Sequence, residues 1–198
     1  MANIFVVMGK SASGKDSIYK RLLMDKELQL KEVVSYTTRP IRTGEKDGVE
    51  YYFVDEATLN RLIEEKKVIE HRSYNTIHGV WHYFTVNDTQ IDLDANDYIM
   101  IGTIESYKQI VEFYGEEIVK PIYIEVETGE RLQRALNREK LPENQKYEEL
   151  CRRFLADERD FSEEKIAEAK ITMRFENDDF QHCMKEIKQF ILKYRKWK

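Results

Sequence analysis

The segment IFVVMGKSASGKDS, residues 4–17, constrains the fold more than any other stretch of the chain. A short apolar run ends at Gly9, a second glycine follows at Gly14, and Lys15 comes next, giving G-x-x-x-x-G-K. A buried strand that feeds a glycine loop and then a helix gathers backbone N–H groups at the helix N-terminus. Such a loop cradles phosphate oxygens, and the lysine after the second glycine reaches the outer phosphates. Gly9, Ser11, Ser13, Gly14, Lys15, Asp16 and Ser17 are the residues this reading places on a nucleotide's phosphates.

The rest of the chain supplies the fold such a loop needs. After a helix over 15–25 come strands in EVVSYT and VEYYFV, separated by the polar loop RPIRTGEKDG. A helix in DEATLNRLIEEKK is capped by Asp55, and VIEHRSYN and GVWHYFTV read as two further strands. YIMIG (98–102) and VKPIYIEV (119–126) read as buried strands flanking a helix near 103–115. Residues 129–139 and 145–168 read as helical, ITMRFEN (171–177) as the last strand, and DFQHCMKEIKQFILKY as an amphipathic closing helix. Apolar strands alternating with helices predict an α/β fold, a parallel sheet flanked by helices. Two stretches break the alternation. Residues 34–92, with short alternating strands, read as an inserted subdomain. Residues 128–165 read as a helical lid. The core is then about 1–33, 93–127 and 166–198.

Composition narrows the function classes. With 198 residues, 41% hydrophobic and 35% charged, the chain suits one soluble domain. Its apolar runs of about half a dozen residues fall far short of the roughly 20 that span a bilayer. The start, MANIFVVMG, lacks a basic segment and a long apolar stretch, so no export leader is expected. Cys151 and Cys183 lack metal-ligand spacing, and a reducing cytoplasm is the expected compartment. His78 and His82 lie four apart, but their segment reads as strand with no cysteine nearby, which weighs against zinc. A net charge of −5 argues against nucleic-acid binding, while local arginine clusters remain compatible with a mononucleotide.

The stretch SYTTRPIRTGEKDGVEYYF, residues 35–53, is the second motif of the chain. Arg39 and Arg42 in one loop offer two planar forks suited to a dianionic phosphate, and Tyr51 adds a phenol donor. This stretch closely resembles the substrate signature of guanylate kinases, S-x-T-T-R-x-x-R-x-G-E-x-x-G-x-x-Y-x-F. Ser35, Thr37, Thr38, Arg39, Arg42, Gly44, Glu45, Gly48, Tyr51 and Phe53 fill every fixed position. The resemblance runs from the glycine loop to FEND (175–178).

The resemblance implies ATP and Mg2+ as cofactors, GMP and dGMP as acceptors, and phosphoryl transfer from ATP to GMP. It implies that Glu70 accepts guanine N1–H and N2–H, that Ser35 meets guanine O6, and that Asn177 lies near the adenine of ATP. It places His78, in YNTIHGV, at the acceptor phosphate, where the family has a tyrosine. From the lid it implies two arginines on the phosphates, with Arg138 and Arg152 or Arg153 as candidates. The residues themselves also allow a solvated, salt-bridged helix, for example Arg153 with Asp157.

The sequence departs from the family at several points. In the loop, Asp16 replaces the usual Ser or Thr, and Ser17 brings the hydroxyl one place late, as in some nucleoside monophosphate kinases. Ser17 is thus the candidate Mg2+ ligand. Val80 replaces a hydroxyl that helps to read guanine. Gly102 stands where the family has an aspartate, with Glu105 as a candidate substitute. Two other readings stay open: a kinase for another small phosphate acceptor, favoured by Val80, and a non-catalytic binding module, opposed by the intact Lys15 and glycines.

Overall fold

The computed structural model describes residues 2–76, 79–141 and 145–195. At its centre is β1 (Ile4–Met8), whose five residues are all fully buried. Side chains alternate across a strand, and β1 uses both faces. Ile4, Val6 and Met8 enter one apolar cluster, and Phe5 and Val7 enter the other. A strand buried on both sides belongs in the middle of a parallel sheet. β1 pairs in parallel with β7 (Tyr98–Ile101) and with β8 (Val119–Glu125). With β2 (Lys31–Glu32) and β9 (Arg174–Glu176) they form a five-stranded sheet, in the order β2-β7-β1-β8-β9. All its pairings are parallel.

Helices cover both faces. Ile18, Tyr19 and Leu22 of α1 (Lys15–Leu23) and Cys183, Ile187 and Ile191 of α7 (Phe180–Tyr194) join Phe5 and Val7. Ile104, Tyr107 and Ile110 of α3 (Ile104–Tyr114) cover the opposite face, beside Phe161 and Ile166. The expected parallel α/β sheet flanked by helices is the observed fold.

A second sheet lies within residues 36–86. It contains β3 (Tyr36–Thr37), β4 (Tyr52–Phe53), β5 (Val68–Thr76) and β6 (Gly79–Val86), in the order β4-β3-β6-β5. Helix α2 (Glu56–Glu64) packs Leu59 and Leu62 against Phe84 and Val86. Asp55 caps it as expected, accepting from the Thr58 backbone N–H at 2.8 Å. Three more helices complete the chain: α4 (Thr128–Glu139), α5 (Tyr147–Asp160) and α6 (Glu163–Glu168).

Several expected boundaries shift. EVVSYT is not one strand. Lys31–Glu32 belongs to the first sheet and Tyr36–Thr37 to the second, so the chain changes sheets at Val33–Ser35. In VEYYFV only Tyr52–Phe53 pairs as a strand. The helix expected over 145–168 breaks where Ser162 leaves the helical backbone to cap α6. ITMRFEN contributes only Arg174–Glu176, and Lys170 before it turns at φ 54°.

Phe84 is fully buried and stacks on Tyr36 at 5.4 Å, which makes it the keystone of the small second core. Phe84→Ala is expected to cost about 3–5 kcal/mol. Urea unfolding checks this, and a loss below about 1 kcal/mol would show that the second sheet does not depend on that ring.

Candidate active site

The loop after β1 enters α1 through Gly14, in a left-handed conformation with φ 85°. A side chain there would be strained and would also meet the Asn177 amide nitrogen, 2.4 Å from an added Cβ. As N-cap, Gly14 offers no side-chain oxygen to the first-turn N–H groups, which leaves them for an anion. Asn177 donates from Nδ2 to the Ser13 carbonyl at 2.7 Å, and its own N–H donates to the Glu125 carbonyl at 2.8 Å. Asn177 therefore braces the loop from behind, and it is buried. This contact ties the Asn177 side chain to the loop backbone. Ser13 is buried as well, and its hydroxyl has no partner within the protein.

A cavity of about 1100 Å3 opens in front of the loop. Gly9, Ser11, Lys15 and Asp16 line it on the loop side. Ser35, Arg42, Glu50, Tyr51, Arg72 and Tyr83 line it from the second sheet and its loops, and Glu149, Arg152 and Asp157 from α5. The cavity thus brings together the glycine loop, the 35–53 signature and the second helical segment. Ser17 is exposed and lies outside this lining, whereas Asp16 faces the cavity with its carboxylate 3.6 Å from the Lys15 ammonium. Asp16 thus lines the cavity beside Lys15, with the Ser17 hydroxyl on the next residue. Among the described residues no group of three or more His, Cys, Asp or Glu side chains could enclose a metal. The oxygen donors present, the Asp16 carboxylate on the cavity wall and the adjacent Ser17 hydroxyl, fit Mg2+ arriving with a nucleotide, because this ion keeps several waters and takes one or two carboxylates plus phosphates.

Arg39 does not line the cavity. It is buried and holds Glu45 bidentately at 2.7 and 2.6 Å, with Tyr51 and Phe53 rings about its guanidinium at 5.1 and 5.2 Å. The Arg39 hydrogen bond holds the Glu45 carboxyl down to about 2, and Glu45 in turn raises Arg39 above its ordinary value. Glu45 also accepts from the Arg42 N–H at 2.8 Å, so the pair shapes the loop that aims Arg42 inward. Burial raises the Tyr51 phenol above its ordinary value, so it stays a donor at neutral pH.

Glu70 is fully buried on β5 and stands behind the cavity wall. Its carboxylate accepts from Thr85 Oγ1 at 2.9 Å and from Arg72 Nε at 3.0 Å. Ser35 Oγ lies 3.4 Å from the same threonine hydroxyl. Val80 is exposed and does not line the cavity. His78 lies outside the described residues. His82 pairs with His71 at 2.8 Å across β5 and β6.

The lid arginines divide. Arg152 lines the cavity and pairs with Glu149 at 2.7 Å. Arg153 reaches Glu149 at 3.6 Å, and Arg138 is exposed on α4; neither lines the cavity. The Arg153–Asp157 pairing is not formed. Asp157 instead accepts from the Ser11 N–H at 2.6 Å. Arg131 lies buried beside it, donating to the Ser11 carbonyl at 3.2 Å and to Glu158. Lys10 Nζ meets Glu158 at 2.7 Å. Sequence reasoning missed Arg131 and Asp157 as loop contacts, and Arg72 altogether. Strand alternation places residues 70 and 72 on one face, which was the available signal for Arg72.

An aspartate at Gly102 would need Val6 or Ser106 to shift. A Cβ there would come within 2.8 Å of Val6 Cγ1 and 2.7 Å of Ser106 Oγ. Glu105 lines a neighbouring cavity with Lys108, Asp160 and Lys165, and Tyr74 and Thr103 border both cavities.

A parallel α/β sheet with a glycine loop at the end of its central strand defines a P-loop protein. A guanylate kinase family model matches residues 1–194. The chain is 30% identical over 195 residues to the guanylate kinase of Methylobacillus flagellatus, covering 98% of this chain and 90% of that one. It is 26% identical over 197 residues to that of Porphyromonas gingivalis, covering 98% of each. Its fold is similar to a crystal structure of guanylate kinase from Anaplasma phagocytophilum, with a TM-score of 0.66 and 20% identity. That match covers 97% of this chain and 85% of the other. The chain belongs to the guanylate kinase family.

The Arg39–Glu45 pair carries a pH signature. Glu45 titrates near 2 when folded, against 4.5 for a free glutamate. Its contribution is complete above about pH 4.5 and is lost as the pH falls toward 2. Glu45→Gln should lower the melting temperature at neutral pH and flatten its fall in acid, read by thermal melts between about pH 7 and pH 3. Parallel curves for the two proteins would contradict the assigned pairing.

Proposed function

We propose that this chain transfers the γ-phosphoryl group of ATP to GMP, and to dGMP, with Mg2+, forming ADP and GDP or dGDP. The observation that carries this reading is the single cavity running from Lys15 to Arg42 and Tyr51. Its volume exceeds that of an ordinary one-ligand pocket, which suits a donor and an acceptor nucleotide side by side. Residues 34–92 act as the acceptor-binding insertion and 128–165 as the lid, on a core of 1–33, 93–127 and 166–198.

The chemistry is direct displacement. An oxygen of the GMP phosphate forms a bond to the γ-phosphorus in line with the breaking bond, and the electron pair leaves with ADP. A phosphate monoester has its second pKa near 6, so the attacking oxygen is already ionised and no base is required. The protein aligns the two phosphates, neutralises charge and excludes water. Lys15 and the loop N–H groups hold the donor phosphates. Arg42, shaped by the Arg39–Glu45 pair, and the Tyr51 phenol hold the acceptor phosphate. Arg152, and with lid closure Arg138 and Arg153, add positive charge over the transferring group. Ser17, with Asp16 beside it, would hold Mg2+, which would supply further charge neutralisation on the phosphates. The acceptor base enters at the Ser35–Glu70–Arg72 end. Small nucleotides are the partners, without nucleic acid, and the cytoplasm is the compartment. No helix among the described residues is long and apolar enough to cross a membrane.

The direct test is a coupled assay of ADP formation with GMP, dGMP, AMP, CMP and UMP. GMP and dGMP should be the best acceptors, with AMP at least about tenfold poorer in kcat/KM, about one hydrogen bond's worth of discrimination. A better acceptor than GMP, or no turnover with any, would overturn the reading. Lys15→Ala should lower kcat by at least about a hundredfold with an unchanged melting temperature. Near-normal turnover would remove the glycine loop from the mechanism.

A further inference from the structure

At the base end of the cavity, the group that faces a ligand is not the carboxylate. Glu70 has no exposed side-chain surface, whereas Arg72 lines the cavity with its side chain 12% exposed. The two share a face of β5, and Glu70 accepts from Arg72 Nε at 3.0 Å and Nη2 at 3.4 Å. Thr85 fixes the other side of the carboxylate at 2.9 Å. Burial opposes the Arg72 charge, and the Glu70 carboxylate more than offsets it, so the guanidinium stays charged. A guanidinium has five N–H donors. The pairing with Glu70 uses Nε and one Nη2 hydrogen, and the Tyr74 phenol, itself on the cavity wall, accepts one more, which leaves two guanidinium hydrogens for a ligand. The Ser35 hydroxyl, also on the cavity wall, is a second donor. Tyr51 and Tyr83 give the pocket aromatic walls.

We propose that Arg72, oriented by Glu70, is a specificity-determining residue that reads the acceptor edge, O6 and N7, of a 6-oxopurine nucleotide. This rests on the nucleoside monophosphate kinase reading above. Arginine meets O6 and N7 of guanine with two parallel N–H donors, a geometry that no other common base edge reproduces. Adenine puts an amino donor at position 6, facing the Arg72 and Ser35 donors, and is rejected. Glu70 acts through Arg72 as a positioning residue. The guanine 2-amino group then adds little, and IMP, with the same O6 and N7, becomes an acceptor close to GMP.

The test uses atom-level changes in the substrate. With the unaltered protein, kcat/KM is measured for GMP, 7-deaza-GMP and IMP at saturating Mg2+-ATP. Loss of N7 should lower kcat/KM by at least about tenfold, chiefly through KM, and IMP should lie within about tenfold of GMP. Arg72→Met should erase the difference between GMP and 7-deaza-GMP, and Arg72→Lys should restore part of it. Because Arg72→Met strands a buried carboxylate, the same panel is run on Glu70→Gln/Arg72→Met, which leaves no charge there. Equal use of GMP and 7-deaza-GMP by the unaltered protein overturns the inference while leaving the kinase reading intact. IMP turned over far more slowly than GMP also overturns it. Absence of turnover with every acceptor removes both.

Discussion

The Asn177 amide holds the Ser13 carbonyl at 2.7 Å inside the protein, and the phosphate loop is built around that contact. Asn177 follows β9 at the edge of the parallel sheet, and Ser13 follows β1 at its centre. Their bond ties the loop to the sheet across 164 residues of sequence. It also explains why only glycine serves at position 14, where the same amide nitrogen would lie 2.4 Å from a Cβ. The buried strand sets where the loop begins, and the amide sets how closely it folds back. The first-turn N–H groups of α1 and the Lys15 ammonium then face one direction. A neutral, buried hydrogen bond suits this task, because it fixes backbone without adding charge next to a phosphate.

Around that fixed loop, nearly every cation is matched with a carboxylate. Lys15 faces Asp16, Arg39 holds Glu45, Arg72 holds Glu70, Arg152 holds Glu149, and Arg131 bridges Asp157 and Glu158. Two kinds of pair are present. Arg39–Glu45 and Arg72–Glu70 are buried, and removing one partner of such a pair strands a charge. They shape the loop and the base end of the cavity. Lys15–Asp16 and Arg152–Glu149 are more exposed and hold little energy. An arriving phosphate competes with these weak pairs for its cations and leaves the buried scaffold intact. Asp157 on the Ser11 N–H differs again, since it joins α5 to the loop itself.

Much of this was legible in the sequence for identifiable reasons. IFVVMG and YIMIG are short apolar runs ending at glycine, and a central parallel strand is the one place such runs fit. The loop residues are contiguous, so spacing gathered them, and resemblance to the guanylate kinase signature gathered residues 35–53. Residues that act through distant partners were harder to place. The resemblance placed Asn177 near the adenine, and nothing local shows that its amide also ends at the Ser13 carbonyl. The arginines of 128–165 look alike in sequence, yet the fold buries Arg131, places Arg152 on the cavity wall and leaves Arg138 exposed. Arg72 was missed because its meaning depends on the pairing with Glu70, and that pairing needs the strand and its register first.

On the proposed function, one continuous cavity seats both nucleotides with their phosphates in line. Adenosine and guanosine joined 5′ to 5′ through five phosphates would span it from the glycine loop to the Ser35–Arg72 end. Isothermal titration should give one molecule per chain, bound at least about a hundredfold more tightly than GMP, because joining the ligands makes the second binding step intramolecular. Either ATP or GMP should displace it. Two molecules per chain, or binding no tighter than that of ATP alone, would contradict the claim.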